Sequence, residues 1–169
     1  MTARPPIVAV CGASQPTEDD LLDAAEVGRL LARNDCVVIC GGLGGVMAAA
    51  ARGATAAGGV CIGLLPGDDP AAAAPEMTFA LATGMGEMRN ALIARCCTAM
   101  IAIGGGYGTL SEIALALRLA RPIAALHTWE LHAAAGGPEP ADALLHRAAS
   151  AGAAVDWVMQ RISAASNPA

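Results

Sequence analysis

The sequence predicts an α/β protein built on a doubly wound parallel sheet with helices on both faces. Short runs rich in Val and Ile alternate with longer stretches of helical periodicity along the 169 residues, and glycine clusters follow several of the short runs. Apolar residues make up 55% of the chain, and strands that are apolar throughout are typical of parallel sheets buried on both faces. The length fits one core, so we expect residues 1–169 to form a single domain.

The first half of the chain repeats the unit strand, glycine-containing loop, helix. Residues 7–11 form an apolar run that ends at a glycine, and Thr17 is placed to cap a helix whose first turn is acidic. A second strand follows at 36–40, a helix at 46–57 and a third strand at 60–64. This alternation requires right-handed crossovers and predicts a Rossmann-like sheet with ligands at the carboxyl ends of its strands.

The second half continues the same alternation. We predict strands at 77–81, 99–103 and 122–126, and helices at 87–96, from the glycine cluster at 104–109 to 120, at 141–149 and at 154–165.

Composition excludes several classes of protein. All ten basic residues are Arg, so the chain has neither the Lys of a P-loop nor the Lys amine that a pyridoxal phosphate enzyme needs for its Schiff base. A net charge of −5 argues against nucleic acid as a partner. No uninterrupted apolar run reaches 18 residues, and we expect no membrane partner and a cytoplasmic protein without a signal peptide. The six Cys lack zinc spacing and the three His lack the helical spacing of a metal pair, so we predict buried reduced thiols and no metal site.

Two glycine clusters and one shorter loop predict a phosphate site. The clusters lie at 41–45 and 104–108, and the loop Gly12-Ala13-Ser14 follows the first strand; each stands between a strand and the next helix. Glycine lets the backbone approach a ligand, and the helix N-terminus favours an anion. The alternative for either cluster is a tight turn without a ligand. Because both clusters and the loop fall on the same edge of the sheet, we favour a phosphorylated small molecule.

The dinucleotide pattern G-x-G-x-x-G is not met, since Met47 and Thr109 stand where its third glycine is required. Nucleoside monophosphates, sugar phosphates and pterin phosphates all remain open as ligands. Two charged residues lie beside the clusters: Arg89 before a helix and Glu112 in the first turns of another. A guanidinium and a carboxylate next to a phosphate site can bind the phosphate and stabilise developing charge, whereas the alternative is a structural ion pair.

From Val8 to about Leu126 the sequence resembles the Lonely-guy family of cytokinin-activating phosphoribohydrolases and the related molybdenum cofactor carrier proteins. Residues 104–112, GGGYGTLSE, stand where the Lonely-guy enzymes carry P-G-G-x-G-T-x-x-E, and 41–47, GGLGGVM, resembles their G-G-G-x-x-G-L-M turn. The resemblance assigns Glu112 and Arg89 as the catalytic pair. Asn90 replaces the Lys that follows the family's catalytic Arg and Gly104 replaces its Pro, which is closer to the carrier branch.

The clusters and the resemblance together give a set of predicted binding residues beside the catalytic Arg89 and Glu112. They are Gly12, Ser14, Gly41, Gly42, Gly44, Gly45, Met47, Asn90, Gly104, Gly105, Gly106, Tyr107, Gly108 and Thr109.

Three functions stay open at this point. The first is hydrolysis of the N-glycosidic bond of nucleoside 5′-monophosphates, which needs no cofactor. The second is a carrier that binds the molybdenum cofactor as cargo without chemistry, and the third is a nucleotide sensor. Whether the chain is an enzyme is therefore left open, except that a pyridoxal-dependent lysine decarboxylase is excluded. The resemblance also implies a homodimer packed through helices.

Overall fold

A computed structural model describes residues 4–132 and 144–166 of the chain. Its centre is a seven-stranded sheet in which every neighbouring pair of strands is parallel. The strands are β1 (Ile7–Gly12), β2 (Val37–Cys40), β3 (Val60–Leu65), β4 (Phe79–Ala82), β5 (Ala99–Ile103), β6 (Ile123–Leu126) and β7 (Leu145–Arg147). Their order across the sheet is β4-β3-β2-β1-β5-β6-β7. The predicted Rossmann-like α/β fold is confirmed.

Helices cover both faces of this sheet. They are α1 (Glu18–Arg33), α2 (Val46–Ala56), α3 (Asn90–Cys96), α4 (Tyr107–Arg118) and α5 (Ala151–Ser166). On one face Val10 and Val38 belong to the apolar cluster that includes α1, α2 and α5; on the other, Ala9 and Met100 pack with α3 and α4. Because successive side chains of a strand point to opposite faces, the central strands are buried on both sides.

Helix α1 begins where the sequence predicts. The Thr17 hydroxyl accepts a hydrogen bond from the Asp20 backbone N–H at 3.1 Å, and the Asp20 carboxylate accepts one from the Thr17 N–H at 3.0 Å. This reciprocal pair satisfies two N–H groups that have no partner inside the helix. It fixes the entry of the chain into α1 directly after the loop that follows β1.

Two glycines let α1 and α2 touch through their backbones. A Cβ at Gly28 would lie 2.0 Å from the carbonyl oxygen of Ala50, and a Cβ at Gly53 would lie 1.9 Å from that of Ala25. No side chain fits at either position, so α1 and α2 pack with their backbones in direct contact. The N-terminus of α2, which follows the glycine cluster 41–45, is thereby fixed against the sheet.

Strand β1 lies between β2 and β5, where the direction of winding across the sheet reverses. The chain leaves β1 on one side and β5 on the other, so the loops after these strands diverge and open a crevice at their carboxyl ends. The strand ends themselves are tightly packed, since a Cβ at Gly12 would lie 2.4 Å from the carbonyl oxygen of Ile103. This is the edge on which the sequence places the two glycine clusters and the loop 12–14.

The prediction of a helix at 141–149 is wrong for the residues described. Leu145–Arg147 instead form β7, which pairs with β6, while 141–143 lie outside the described residues. Hydrogen bonds from the Ile123 N–H to Leu144 (2.7 Å) and from the Ala148 N–H to Ala125 (2.9 Å) bracket the strand. The exposed edge of β6 offers a backbone ladder that outweighs the weak helical preference of this segment.

Two smaller differences concern element boundaries. The predicted helix at 87–96 starts as a 3-10 turn, Gly86–Arg89, before α3 proper, and the predicted strand at 77–81 begins two residues later. Five of the six Cys are buried and all six are free thiols, as predicted; Cys96 is exposed. Within residues 4–132 and 144–166, no helix combines the length and apolar character needed to cross a bilayer.

Candidate active site

A cleft of about 380 Å³ opens at the carboxyl ends of the central strands. Loops after β1, β2, β3 and β5 and the turn before α3 surround it. Ten predicted residues line it: Gly12, Ser14, Met47, Arg89, Asn90, Gly106, Tyr107, Gly108, Thr109 and Glu112. A larger groove of about 550 Å³ lies on α1 and α2, away from this edge, with Glu26 and Arg29 in its lining already paired with each other. We place the candidate site in the cleft because it holds the buried charges.

Those charges are the predicted pair, Arg89 and Glu112. The 3-10 turn before α3 supplies Arg89 and the second turn of α4 supplies Glu112, and both are less than a tenth exposed. The Arg89 Nη1 lies 3.5 Å from the Glu112 Oε1. Residues from opposite sides of the crevice therefore meet as an ion pair at its floor.

Burial dominates the protonation of Glu112. It raises the pKa of this carboxyl to about 7, while the neighbouring Arg89 cation and a hydrogen bond with the Cys11 thiol pull the pKa down only in part. The Cys11 pKa is raised well above its usual value, first by burial and then by the negative charge of Glu112, so the thiol is the donor. A carboxyl with this pKa can take up or release a proton near neutral pH.

A chain of hydrogen bonds links Arg89 to the start of α4. The Arg89 Nη1 donates to the Asn90 Oδ1 at 2.5 Å, and the Asn90 Nδ2 donates to the Ser111 hydroxyl at 2.9 Å. Ser111 in turn donates to the Gly108 carbonyl at 2.7 Å. The Arg89 Nε is buried and has no acceptor among the described residues. Asn90 thus orients the guanidinium, whose Nε stays without a partner among the described residues.

The first glycine cluster, residues 41–45, packs behind this site. A Cβ at Gly41 would lie 2.5 Å from the Arg89 Nη2, and one at Gly45 would lie 2.3 Å from the carbonyl oxygen of Ala13. Gly42 and Gly45 both have positive φ, and Gly42 packs against β3. Gly44 faces open space but does not line the cleft. Three of these glycines are therefore needed for close packing.

The second cluster, residues 104–108, divides into two parts. Gly106 and Gly108 have no atoms within 4 Å of the position a Cβ would take, and both line the cleft. Gly104 and Gly105 instead line an adjoining cavity of about 430 Å³ together with Asp20. A carboxylate in that cavity disfavours an anion, so the phosphate half of any ligand fits best beside Arg89.

An aromatic pair forms the rim of the cleft. Tyr107 is 82% exposed, and its ring lies 5.7 Å from that of Trp129 between centroids, tilted by 30°. The Trp129 Nε1 donates to the Gly106 carbonyl at 3.1 Å, which ties the pair to the glycine loop. Flat aromatic faces beside a phosphate-sized space suit a ligand with a planar ring system.

The structure brings together most of the predicted residues but reassigns some. Gly41, Gly42 and Gly45 lie behind the cleft and Gly104 and Gly105 beside it. The sequence analysis missed three lining residues, Leu43, Pro66 and Glu87. Leu43 lies within the predicted cluster 41–45 and Pro66 directly follows β3, so the rule that ligands bind at carboxyl ends of strands could have found both, whereas no signal marked Glu87. Among the described residues, no group of three or more His, Cys, Asp and Glu side chains could hold a metal ion.

Comparisons with known proteins place these features in a family. The molybdenum cofactor binding protein of the phototrophic bacterium Rippkaea orientalis superposes with a TM-score of 0.85 at 31% identity, covering 95% of this chain and 99% of that one. An uncharacterized protein of Archaeoglobus fulgidus is 41% identical over 119 residues, which is 70% of this chain and 78% of that protein.

A probable cytokinin riboside 5′-monophosphate phosphoribohydrolase of Oryza sativa subsp. japonica is 34% identical over 111 residues. That match covers 63% of this chain and 49% of the rice protein, so the chain spans about half of that relative. The resemblance to Lonely-guy and molybdenum cofactor carrier proteins is confirmed. A model of the SLOG cluster4 family matches residues 5–155, and the chain belongs to the SLOG cluster4 family.

Proposed function

We propose that the cleft binds a phosphorylated compound with a planar heterocycle, and that the protein is a carrier for the molybdenum cofactor, a pterin phosphate. The observation that carries this proposal is the buried Arg89, which lines the cleft and whose Nε, itself shielded from solvent, has no acceptor among the described residues. A guanidinium with a buried, unpaired N–H favours a phosphate oxygen as its partner.

Two further features support a carrier. The Tyr107 and Trp129 rings offer a stacking surface for a pterin at the rim, about where a ligand anchored at Arg89 would emerge. The chain superposes on the Rippkaea orientalis protein, which binds the molybdenum cofactor, over 95% of its length. A carrier must bind its cargo and shield it from solvent, but it need not catalyse a reaction. The ion pair of Arg89 with Glu112 gives the cleft the polar floor that such binding requires.

The test is co-purification of the cargo. The chain is produced in a host that makes the cofactor, and oxidised pterin fluorescence is measured per chain in the wild type, in Arg89→Ala and in Arg95→Ala. Arg95 lies on the same helix as Asn90 but is exposed, so it controls for loss of a positive charge. We expect about tenfold less pterin in Arg89→Ala and no change in Arg95→Ala. Equal pterin in all three proteins, or none in the wild type, contradicts the carrier function.

The raised pKa of Glu112 favours a second candidate, hydrolysis of nucleoside 5′-monophosphates. In this reaction the glycosidic bond breaks, its electron pair and a proton go to the base, and the oxygen of water adds to the sugar to give ribose 5-phosphate. Ionised Glu112 would stabilise the oxocarbenium-like transition state and accept the proton of water, while Arg89 would hold the phosphate.

Chromatographic detection of free adenine from AMP decides this candidate. The chain, as purified, is incubated with AMP alongside Glu112→Gln, which keeps the size of the side chain but cannot ionise. Turnover that falls at least about 100-fold in the variant supports hydrolysis. AMP that binds without releasing adenine excludes hydrolysis of this nucleotide and leaves the carrier as the function.

We also infer a homodimer. Leu22, on the groove formed by α1 and α2, is 65% exposed, and apolar surface of this kind is typical of contact faces. Light scattering of the purified chain measures the mass directly, and a monomeric mass at micromolar concentration contradicts the inference.

A further inference from the structure

Three sulfur atoms meet behind the first glycine cluster, outside the cleft. The Cys40 Sγ lies 3.9 Å from the Cys61 Sγ, and each lies 3.7 Å from the Met77 Sδ. Both cysteines are fully buried, while Met77 is partly exposed and lies just before β4. The sulfurs form an almost equilateral triangle.

The register of the sheet and one glycine create this arrangement. Strands β2 and β3 pair so that Val38 faces Cys61 and Cys40 faces Gly63, which puts the two cysteines diagonally adjacent on one face of the sheet. Gly63 has no side chain, and a Cβ there would lie 3.2 Å from the Met77 Sδ. The missing side chain opposite Cys40 therefore gives the thioether its place beside the two thiols.

We propose that Cys40, Cys61 and Met77 form a binding site for a soft monovalent cation, Cu(I). The point equidistant from three atoms at these separations lies about 2.2 Å from each, close to the ~2.3 Å of metal–thiolate bonds. The triangle would thus accept a three-coordinate ion at its centre with little movement of the chain. Soft thiolate and thioether ligands select Cu(I), zinc or iron–sulfur clusters.

The coordination number distinguishes Cu(I) from zinc. Structural zinc sites in proteins are almost always four-coordinate and tetrahedral, whereas three sulfurs meet here among the described residues. On binding, each thiol loses its proton to solvent as its sulfur–copper bond forms, and no electron is transferred. The resulting site carries one negative charge, and the Arg89 guanidinium, packed against Gly41 next to Cys40, lies close enough to offset it.

Three apolar sulfurs in contact are also what ordinary core packing produces, so the experiment must separate packing from binding. A Cys96→Ser background removes the exposed thiol. The reduced protein is titrated without oxygen with Cu(I) held by a competing chelator, and thiolate-to-copper absorption reports the stoichiometry. We expect one Cu(I) per chain and, by X-ray absorption, three sulfurs at about 2.2 to 2.3 Å.

Variants then assign the ligands. Cys40→Ser and Cys61→Ser should each lose the one equivalent of copper, and Met77→Leu, which conserves side-chain volume, should weaken binding about tenfold. Cys36→Ser is the matched control, because Cys36 is also buried and lies 3.5 Å from a methionine sulfur, that of Met159. It should bind copper as the background protein does.

Unchanged stoichiometry in Cys40→Ser and Cys61→Ser, or two sulfurs rather than three around the metal, overturns the proposal. If either serine variant fails to fold by circular dichroism, Met77→Leu decides, because unchanged copper affinity there removes the thioether from the site. Zinc added in place of copper should not reproduce the three-sulfur coordination, and if it does, selectivity for Cu(I) is refuted.

Discussion

The two glycine clusters follow the same pattern in the sequence but have different roles in the structure. In the cluster after β2, Gly41 and Gly45 are surrounded by atoms that a Cβ would strike at 2.3 to 2.5 Å. In the cluster after β5, Gly106 and Gly108 face open space and line the cleft. The first cluster therefore packs behind the site, and the second lines the cleft. Substitutions that add one methyl group measure this difference directly.

The largest effect is expected for Gly45→Ala. Gly45 has a φ of 67° and no room for a Cβ beside the carbonyl of Ala13, so the free energy of unfolding should fall by about 3–5 kcal/mol. Urea unfolding measures the change. Gly44→Ala is the control, because Gly44 lies one residue away with nothing within 4 Å of its Cβ position. Equal losses in both variants would show that the whole cluster, not this contact, is sensitive.

The second effect concerns the ion pair of Arg89 with Glu112 at the floor of the cleft. Because burial raises the pKa of Glu112 to about 7, the folded protein binds more protons than the unfolded chain between the usual pKa of a glutamate and 7. The contribution of Glu112 to stability should therefore be greatest below its usual pKa of 4.5, fall as pH rises to the folded-state pKa of about 7 and level off above it, a loss of about 2.5 kcal/mol between pH 5 and pH 8.

Glu112→Gln removes this dependence, since the amide does not titrate. Urea unfolding at several pH values for both proteins gives the difference curve. A wild type whose stability relative to Glu112→Gln is flat from pH 5 to pH 8 would mean that Glu112 keeps an ordinary pKa in the folded protein.

Gly41→Ala tests whether the cluster after β2 controls binding by fixing the position of Arg89. Its new methyl would meet the far ends of two flexible side chains, Arg89 and Met47, which can move at small cost. The guanidinium would be displaced from its pair with Glu112, so we expect affinity for AMP to fall about tenfold, equivalent to ~1.4 kcal/mol, and the free energy of unfolding to fall by less than in Gly45→Ala. Calorimetric titration measures it, and Gly44→Ala again serves as the reference. Unaltered affinity would show that the position of Arg89 does not control binding.

The smallest effect is expected for Gly108→Ala. This residue is the second of α4 and has free space around it, so alanine should stabilise the protein by about 0.5 kcal/mol through its better helix propensity. The thermal unfolding midpoint should rise slightly. A drop comparable to that of Gly45→Ala would mean that both clusters are packing glycines.

The alternation of apolar runs and helical stretches was enough to predict the sheet and the meeting of Arg89 with Glu112, because parallel strands bring their carboxyl ends together. What could not be predicted depends on neighbours far away in the chain. Gly41 is a packing glycine only because Arg89 folds against it, and residues 145–147 form a strand only because β6 has a free edge. The Cys11 thiol below Glu112 likewise has no signal in a run of apolar residues.

The aromatic rim also provides an intrinsic fluorescence signal from the cleft. The chain has two tryptophans: Trp129 hydrogen bonds to the glycine loop at the cleft, whereas Trp157 stacks on His146 at 5.1 Å, with Arg161 over its ring. If a planar ligand binds against Tyr107 as proposed, it should change the surroundings of Trp129 and not those of Trp157. Intrinsic emission, with Trp157→Phe to isolate the cleft, can thus follow occupancy of the unlabelled protein in real time.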